Sequence, residues 1–283
     1  MDTPNQKFNT AVSPTWCPGC GNYGIWQALK TALFELRLET HQVFISYDIG
    51  CFGNGCNFTK TYAFHSLHGR ALPPAAGAKL GNKNLTVLAL SGDGGAYGEG
   101  IQHLIHSARY NIDVAYLVAN NQRFSLTAGQ ASPTTRANAK TPTTPFGEIK
   151  QPINSLLLSL MSGTTFLARG FAGDQKHLAE IIKQAIEHKG FAHIDILQPC
   201  VTFNKENSYE WYKNVIYKLE EHKYNPSDRK KAIEKTQEFE LENKMPIGVI
   251  YKEDRKTYEE QIPQLEEESL CYQKLDKINS LQK

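Results

Sequence analysis

Two sets of residues in this chain are built for chemistry. The first is the turn Gly92-Asp93-Gly94-Gly95, which follows a nearly unbroken apolar run from Leu85 to Leu90. After the turn, Ile101, Leu104, Ile105 and Ala108 fall on one helical face. A strand that feeds a glycine turn and then a helix lets a phosphate approach backbone N–H groups at a helix N-terminus, whose dipole favours anions. A dinucleotide fingerprint would need G-x-G-x-x-G and an acidic residue about 20 positions on. Here the glycines are misplaced, and the next strand ends in Asn120-Asn121. Asp93 would also set its carboxylate against a bare diphosphate in a turn of low dielectric. A divalent cation between them removes that conflict. Mg2+ prefers near-octahedral oxygen coordination, shared between one or two protein ligands and phosphates. Asp93 can give one oxygen, the amide of Asn121 a second, and the backbone carbonyl of Arg123 a third.

The second set is thiol. Trp16-Cys17-Pro18-Gly19-Cys20-Gly21 holds a C-x-x-C in a Pro/Gly-rich stretch, with Cys51 and Cys200 far downstream. A C-x-x-C alone fits a zinc knuckle or a redox dithiol. No second close pair accompanies it, and the spacing is not that of a compact ferredoxin run. Four thiolates suit either Zn2+ or a cubane cluster. Only a cluster would give a path for electrons. Cys56 and Cys271 read as free thiols.

Positioning these residues requires a particular scaffold. Apolar periodicity predicts helices over about 22–38, 71–81, 98–110, 152–161 and 174–189. Short β-branched or apolar runs predict buried strands at Val43–Ile49, Leu85–Leu90, Val114–Ala119, 164–168 and 191–197. Strands alternating with helices imply an α/β fold, a mostly parallel sheet covered on both faces. In such sheets ligands gather at the carboxyl ends of the strands. Cys51, Asp93, Asn121 and Cys200 each follow a predicted strand, so one rim of the sheet should collect them. The N-terminal C-x-x-C loop can fold over that rim. Residues 120–150, rich in Thr, Pro, Gly and Asn, form a loop long enough to expect a functional role. After Cys200 the chain becomes highly charged, and residues 204–283 read as a pair of solvated helices plus a tail, or as an arm that docks a partner.

A chain of 283 residues with 40% hydrophobic content can fill one large α/β core plus an extension. A formal net charge of +2 speaks against nucleic-acid or polyanion binding. No apolar run approaches the roughly 18–20 residues that span a bilayer, and the N-terminal residues do not read as a signal peptide. The six cysteines are then expected in a reducing cytoplasmic compartment, as ligands or free thiols.

Gly-Asp-Gly followed by a helix, a strand and Asn-Asn resembles the signature of thiamine-diphosphate enzymes. The chain as a whole resembles the β subunit of 2-oxoacid:ferredoxin oxidoreductases. The residues that carry the likeness are Trp16–Gly21, Asp48-Ile-Gly-Cys51, Leu67–Pro73, Gly92-Asp-Gly94, Asn120-Asn-Gln122, Leu126–Gln130, Ser132–Thr135 and Gln198-Pro-Cys200, in the family's order. Tyr209–Tyr212 and Pro246–Val249 extend the likeness into the charged region.

The resemblance implies a thiamine-diphosphate-binding fold over residues 1–203 and a C-terminal helical extension, an arm for contact with a partner subunit, over 204–283. It implies Cys17, Cys20, Cys51 and Cys200 as ligands of a [4Fe–4S] cluster, and Asp93, Asn121 and the Arg123 carbonyl as Mg2+ ligands. Gly50, Cys51, Phe52, His68, Gly69, Gly94, Gly95, Ser125, Leu126 and Thr127 would surround the cofactor. The implied reaction is coenzyme A-dependent oxidative decarboxylation of a 2-oxoacid, pyruvate or 2-oxoglutarate, to acyl-CoA and CO2, with electrons passing through the cluster to ferredoxin. The same machinery can run in reverse. The glutamate that thiamine enzymes use against the aminopyrimidine is implied on an α subunit, with γ or δ subunits in some assemblies.

Two departures stand out. Asn54 occupies a position where many relatives carry a basic residue, and Arg123-Phe124-Ser125 replaces the usual Ile/Val-Tyr-Gly. Arg123 could stand in for the missing cation or point to solvent. Two other readings remain open: a non-redox thiamine-diphosphate decarboxylase subunit with a structural zinc site, and a non-catalytic assembly subunit.

Overall fold

A computed structural model describes residues 3–274. Eight strands form the main sheet: β1 (Val43–Tyr47), β2 (Tyr62–His65), β3 (Thr86–Gly92), β4 (Ala115–Asn120), β7 (Phe166–Phe171), β8 (Ala192–Leu197), β9 (Ile216–Lys218) and β10 (Met245–Lys252). Their spatial order is β2-β1-β3-β4-β8-β7-β10-β9. From β2 to β7 every pairing is parallel. The central strands β4 and β8 are buried along their whole length, which is why their sequences read as continuous apolar runs and not as alternation. A two-stranded hairpin, β5 (Arg123–Phe124) and β6 (Gln130–Ala131), stands in the long loop after β4.

Helices cover both faces, as an all-parallel arrangement demands. On one face α2 (Gly21–Glu35) and α6 (Gln175–Glu187) pack over Ile45, Leu88, Leu117 and Ile194. Asp174 caps α6 by accepting the His177 N–H, and Leu178, Ile181, Ile182 and Ala185 supply its apolar stripe. On the other face α3 (Leu72–Gly81) and α4 (Ile101–Tyr110) cover Val87, Ala89, Tyr116 and Val118. The predicted strands and helices up to Leu197 are all present, and short elements join them, the β5–β6 hairpin among these. Strand β2 was not expected, because an exposed edge strand carries no buried face to mark it. The stretch before Cys17 also holds a short helix, α1 (Pro4–Phe8). Buried Lys30 fixes it, donating to Asn5 Oδ1 and Asn9 Oδ1 at 2.6 and 2.7 Å.

The charged stretch after residue 203 is more than two solvated helices and a tail. It holds α7 (Tyr209–Val215) and α8 (Arg229–Glu242), but also β9 and β10. Strand β10 runs antiparallel to β7, and β9 extends the sheet beyond it. Residues 204–252 therefore complete the sheet begun by the first part. Ile250 and Leu219 are buried with Leu156, Leu160 and Leu167 of that part. The high charge of the flanking sequence hides this strand, since only Met245–Tyr251 is apolar. The end of the expected extension, 275–283, lies outside the described residues.

This continuity makes two outcomes testable. Ile250→Ala should lower the free energy of unfolding by about 2–5 kcal/mol, the usual cost of truncating a core aliphatic side chain, as read from denaturant titration. A chain ending at Phe203 should aggregate on expression, because the apolar faces of β7 and α5 (Ser155–Met161) lose their cover. A soluble, monomeric truncation with intact circular dichroism would contradict the shared core.

Candidate functional site

The carboxyl ends of β1, β3 and β4 open onto one cavity. It is lined by Gly50, Cys51 and Phe52, by His68, by Asp93, Gly94 and Gly95, and by Asn121, Arg123, Ser125, Leu126 and Thr127. Asp93 is buried at the end of β3. Its Oδ2 accepts hydrogen bonds from Ser132 Oγ at 2.5 Å and Thr134 Oγ1 at 2.6 Å. Burial pushes the Asp93 carboxyl up to about 6, against the pull of those two hydroxyls and of the Asn121 backbone N–H. A carboxylate so prepared and so desolvated, with the Arg123 charge acting on it only at a distance and no ion pair to it among the described residues, suits a cation.

Asn121 presents an amide oxygen on the same rim. Its Oδ1 accepts from the Arg123 N–H at 2.9 Å and from Ser125 Oγ at 3.2 Å, while its Nδ2 donates to Gln198 Oε1 at 2.6 Å. The neighbouring Asn120 points the other way, as successive residues of a strand must. It donates to Asp195, and its Oδ1 stands 2.9 Å from Thr134 Oγ1, a second acceptor beside Asp93 for the single proton of that hydroxyl. Gly94 leaves room for the Phe124 ring, which a Cβ would strike. Gly95 is required because the Asp48 carboxylate lies against its Cα.

Asp48 itself, fully buried, anchors the far wall. It accepts from the Ile49 and Gly69 N–H groups at 2.8 and 2.6 Å, and from Ser91 Oγ. His68 lies with Nδ1 3.4 Å from Asp48 Oδ1 and Nε2 3.5 Å from Glu99 Oε2. The Asp48 carboxylate raises its pKa above the ordinary imidazole value, and Glu99 adds to the effect. A histidine whose protonated form is favoured in this way, facing the cavity, suits a bound anion. Gly69, expected against the cofactor, does not line the cavity. Its N–H is committed to Asp48, its φ is +71°, and a Cβ there would come within 2.7 Å of the Glu99–Gly100 backbone. It is a turn residue that lets the His68 loop close.

Arg123 does not point to solvent. It is 5% exposed, and its Nη1 donates to the Gln122 carbonyl at 2.7 Å. Asn54 lies outside this cavity and lines its neighbour.

That neighbouring cavity, of about 250 Å3, collects Cys17, Cys20, Cys51 and Cys200. The two cavities share a wall made of Asn22, Cys51, Asn121, Ser125 and Leu126. Trp16 holds the N-terminal loop in place. Its Nε1 donates to the Cys51 carbonyl at 2.5 Å, and its ring packs edge-on against Tyr23 and Phe58. Burial pushes the Cys20 thiol up to about 12 and Cys51 up to about 11, and in each case the neighbouring thiols add to the rise. Four thiols in one pocket can ionise together only around a cation. Among the described residues no three of His, Cys, Asp or Glu converge as ligands of a single ion; the four thiols instead stand around a space. Cys56 and Cys271 are free thiols outside it.

Sequence reasoning missed several members of this site. Ser132, Thr134, Asp48, Gln198 and Asn22 all lie in or beside the motifs, but only the fold shows which polar groups meet. Asn22 is 1% exposed, and neither polar atom of its side chain has a partner. An unsatisfied amide on the wall between two cavities marks a place for a ligand.

Comparison with known proteins agrees with this arrangement. Residues 41–196 match the family model "Thiamine pyrophosphate enzyme, C-terminal TPP binding domain". Residues 200–267 match the model for the C-terminal part of the pyruvate ferredoxin oxidoreductase beta subunit. A 2-oxoacid:ferredoxin oxidoreductase subunit beta from Saccharolobus solfataricus is 44% identical over 260 residues, covering 87% of this chain and 85% of that one. The chain belongs to the β subunits of the 2-oxoacid:ferredoxin oxidoreductases. A 2-oxoglutarate synthase subunit KorB from Archaeoglobus fulgidus is 33% identical, covering 74% of this chain and 78% of that one. The solved 2-oxoglutarate:ferredoxin oxidoreductase from Magnetococcus marinus, with 2-oxoglutarate, coenzyme A and succinyl-CoA bound, superposes with a TM-score of 0.91 at 35% identity, covering 100% of this chain and 96% of that one. Among the described residues no helix is long and apolar enough to cross a membrane.

The raised pKa of Asp93 gives this β subunit a pH signature. A carboxyl whose folded pKa lies above its unfolded value stabilises the fold while protonated, and that contribution is lost as the pH rises through about 6. In the metal-free protein Asp93→Asn should therefore raise the melting temperature at about pH 7 and change it little at about pH 4. Mg2+-dependent binding of thiamine diphosphate should weaken below about pH 6, by up to roughly tenfold per unit, as protons compete for the ligand. In the variant the binding should be lost. Calorimetry reads both, and normal cofactor binding by Asp93→Asn would remove Asp93 from the site.

Proposed function

We propose that this β subunit holds thiamine diphosphate through Mg2+ in the Asp93–Asn121 cavity and a [4Fe–4S] cluster in the adjoining cysteine cavity. With an α subunit, it oxidises a 2-oxoacid to acyl-CoA and CO2 and delivers the electrons to ferredoxin. One observation carries the reading: Cys17, Cys20, Cys51 and Cys200, from three separate stretches of chain, line a cavity that shares a wall with the cavity holding Asp93, Asn121 and Arg123. Zinc draws its sulfurs to about 2.3 Å, whereas among the described residues the thiols form no such compact single-ion site, which favours a cluster.

Bound thiamine diphosphate would supply the carbon nucleophile and the electron sink for decarboxylation. The chain's own residues do the rest by position. Asp93, the Asn121 amide oxygen and the Arg123 carbonyl would hold the cation. The glycine turn and His68 would receive the diphosphate, and the dry, preorganised surroundings strengthen each contact. Cys51 lies on the wall common to both cavities, which keeps the distance between cofactor and cluster short. No glutamate lines the cofactor cavity among the described residues, so the acid–base group for the aminopyrimidine is assigned to the α subunit. The exposed parts of residues 204–274 are offered as part of the contact with it. The substrate class is a 2-oxoacid with coenzyme A as co-substrate. 2-Oxoglutarate comes first in a test panel, since it is bound in the Magnetococcus marinus enzyme.

The test is anaerobic co-expression with the α subunit, followed by iron, sulfide and zinc analysis and a panel of 2-oxoacids. About four irons and four sulfides per β subunit are expected from a [4Fe–4S] cluster, together with CoA-dependent ferredoxin reduction. Cys17→Ala should leave cofactor binding intact and stop ferredoxin reduction. A colourless protein holding zinc would instead support the non-redox decarboxylase, and one that binds no thiamine diphosphate would leave only an assembly role.

A further inference from the structure

Two hydrogen-bond bridges run from Asn121 across the shared wall to cysteine sulfurs. On one side, Asn121 Nδ2 donates to Gln198 Oε1 at 2.6 Å, and Gln198 Nε2 donates to Cys20 Sγ at 3.3 Å. On the other, Ser125 Oγ stands 3.2 Å from Asn121 Oδ1 and 3.4 Å from Cys200 Sγ. The first bridge is fixed, because every donor and acceptor in it has one role. The second is not. Ser125 has one hydroxyl proton and two acceptors.

The orientation of Asn121 is unambiguous. A backbone N–H can only donate, so the atom 2.9 Å from the Arg123 nitrogen is the amide oxygen. An amide oxygen has two lone pairs. In the metal-free chain the Arg123 N–H and the Ser125 hydroxyl use both. Arg123 cannot leave, because its backbone is paired with Ala131 in the β5–β6 hairpin. When Asn121 gives a lone pair to a cation, the Ser125 hydroxyl is the contact that must yield, and Cys200 Sγ is the acceptor within its reach.

We propose that Ser125 is a two-position proton switch that reports occupancy of the metal–diphosphate site to the cluster. With the site empty, its hydroxyl donates to Asn121 Oδ1. With the cation bound, it donates to the Cys200 sulfur. No bond breaks and no proton leaves Ser125; the hydroxyl rotates. A hydrogen bond to a cluster-ligating sulfur stabilises the reduced, more negative state and raises the potential. The cluster thus becomes a better electron acceptor when the cofactor that will feed it is in place. The switch rests on the cation and cluster assignments proposed for the two cavities. Ser125 occupies a position where the family pattern has glycine, which has no hydroxyl to switch.

The experiment compares the assembled enzyme with its Ser125→Ala and Ser125→Gly variants, each prepared with and without Mg2+ and thiamine diphosphate. Cluster potentials are read by redox titration followed by electron paramagnetic resonance. A net hydrogen bond of ordinary strength corresponds to a roughly fivefold change in the ratio of reduced to oxidised cluster at fixed potential, or about 40 mV at 59 mV per tenfold for one electron. Wild type and variants should agree when the site is empty and diverge by that amount, with wild type higher, when it is filled. Taking the difference of differences removes the direct electrostatic effect of the cation. Electron–nuclear double resonance should also show an exchangeable proton near the reduced cluster in loaded wild type that is missing from both variants. Equal potentials in both states, or the same offset in both, would overturn the switch. A wild-type enzyme with cofactor but no cluster signal would instead overturn the cluster assignment itself.

Discussion

Asp93 is a carboxyl group buried at the end of a central strand, held by hydroxyls and without an ion pair among the described residues. Most of the surrounding structure follows from that one unfavourable placement. Ser132 and Thr134 must come back across the long loop to donate to it. Asn120 Oδ1 lies 2.9 Å from the Thr134 hydroxyl as an alternative acceptor, and Asn120 is itself held by Asp195 on the next strand. The loop from Gln122 to Ser132 therefore cannot be loose, and the β5–β6 hairpin gives it a backbone register. The same hairpin delivers Phe124 over Gly94 and sets the Arg123 N–H on the Asn121 amide oxygen. A polar network that ends on a buried charge costs stability when incomplete and rigidifies when complete. Under the proposed function a cation would complete it, and folding of the loop and binding of the cofactor would then draw on the same interactions.

The cysteine pocket solves a different problem. Its members are far apart in the chain, and one pair sits on an N-terminal segment with little secondary structure. Aromatic packing and single hydrogen bonds hold that segment. Trp16 is wedged against Tyr23 and Phe58 and tied to the Cys51 carbonyl. Further up, buried Lys30 fastens α1 while lying over the Trp26 ring. Burial lowers the Lys30 pKa to about 8, the expected response of an ammonium whose partners are neutral amides. The fold's own packing thus brings the four thiols to one cavity.

How much of this was legible in the sequence depended on what kind of signal each part leaves. The parallel strands were plain, because burial on both faces forces unbroken apolar runs such as Leu85–Leu90. The convergence of Asp93, Asn121, Cys51 and Cys200 was also plain, because strand ends in a parallel sheet share a rim, and Cys17 and Cys20 join them on the N-terminal loop. Strand β10 was obscured by charged neighbours, and β2 by full exposure. Gly69 was misplaced because a glycine beside a site and a glycine that shapes the loop behind it look alike in one dimension. The same limit explains Ser132, Thr134 and Gln198. Their roles come from meeting Asp93, Asn121 and Cys20 across the fold, and no spacing rule predicts a hydroxyl that returns from 39 positions away.

The mouth of the cofactor cavity argues that this chain works as half of a site. Ile49, Leu67 and Leu126 are 37, 78 and 54% exposed around it. Apolar side chains in such numbers at the rim of a polar cavity are poorly placed for water and well placed for a protein surface. A cover there would also serve the chemistry. Excluding water raises the worth of every polar contact inside, from the Asp93 carboxyl to the His68 ring. Membership among β subunits and the lack of a lining glutamate among the described residues point the same way. The subunit that closes the mouth is the one positioned to bring the missing acid.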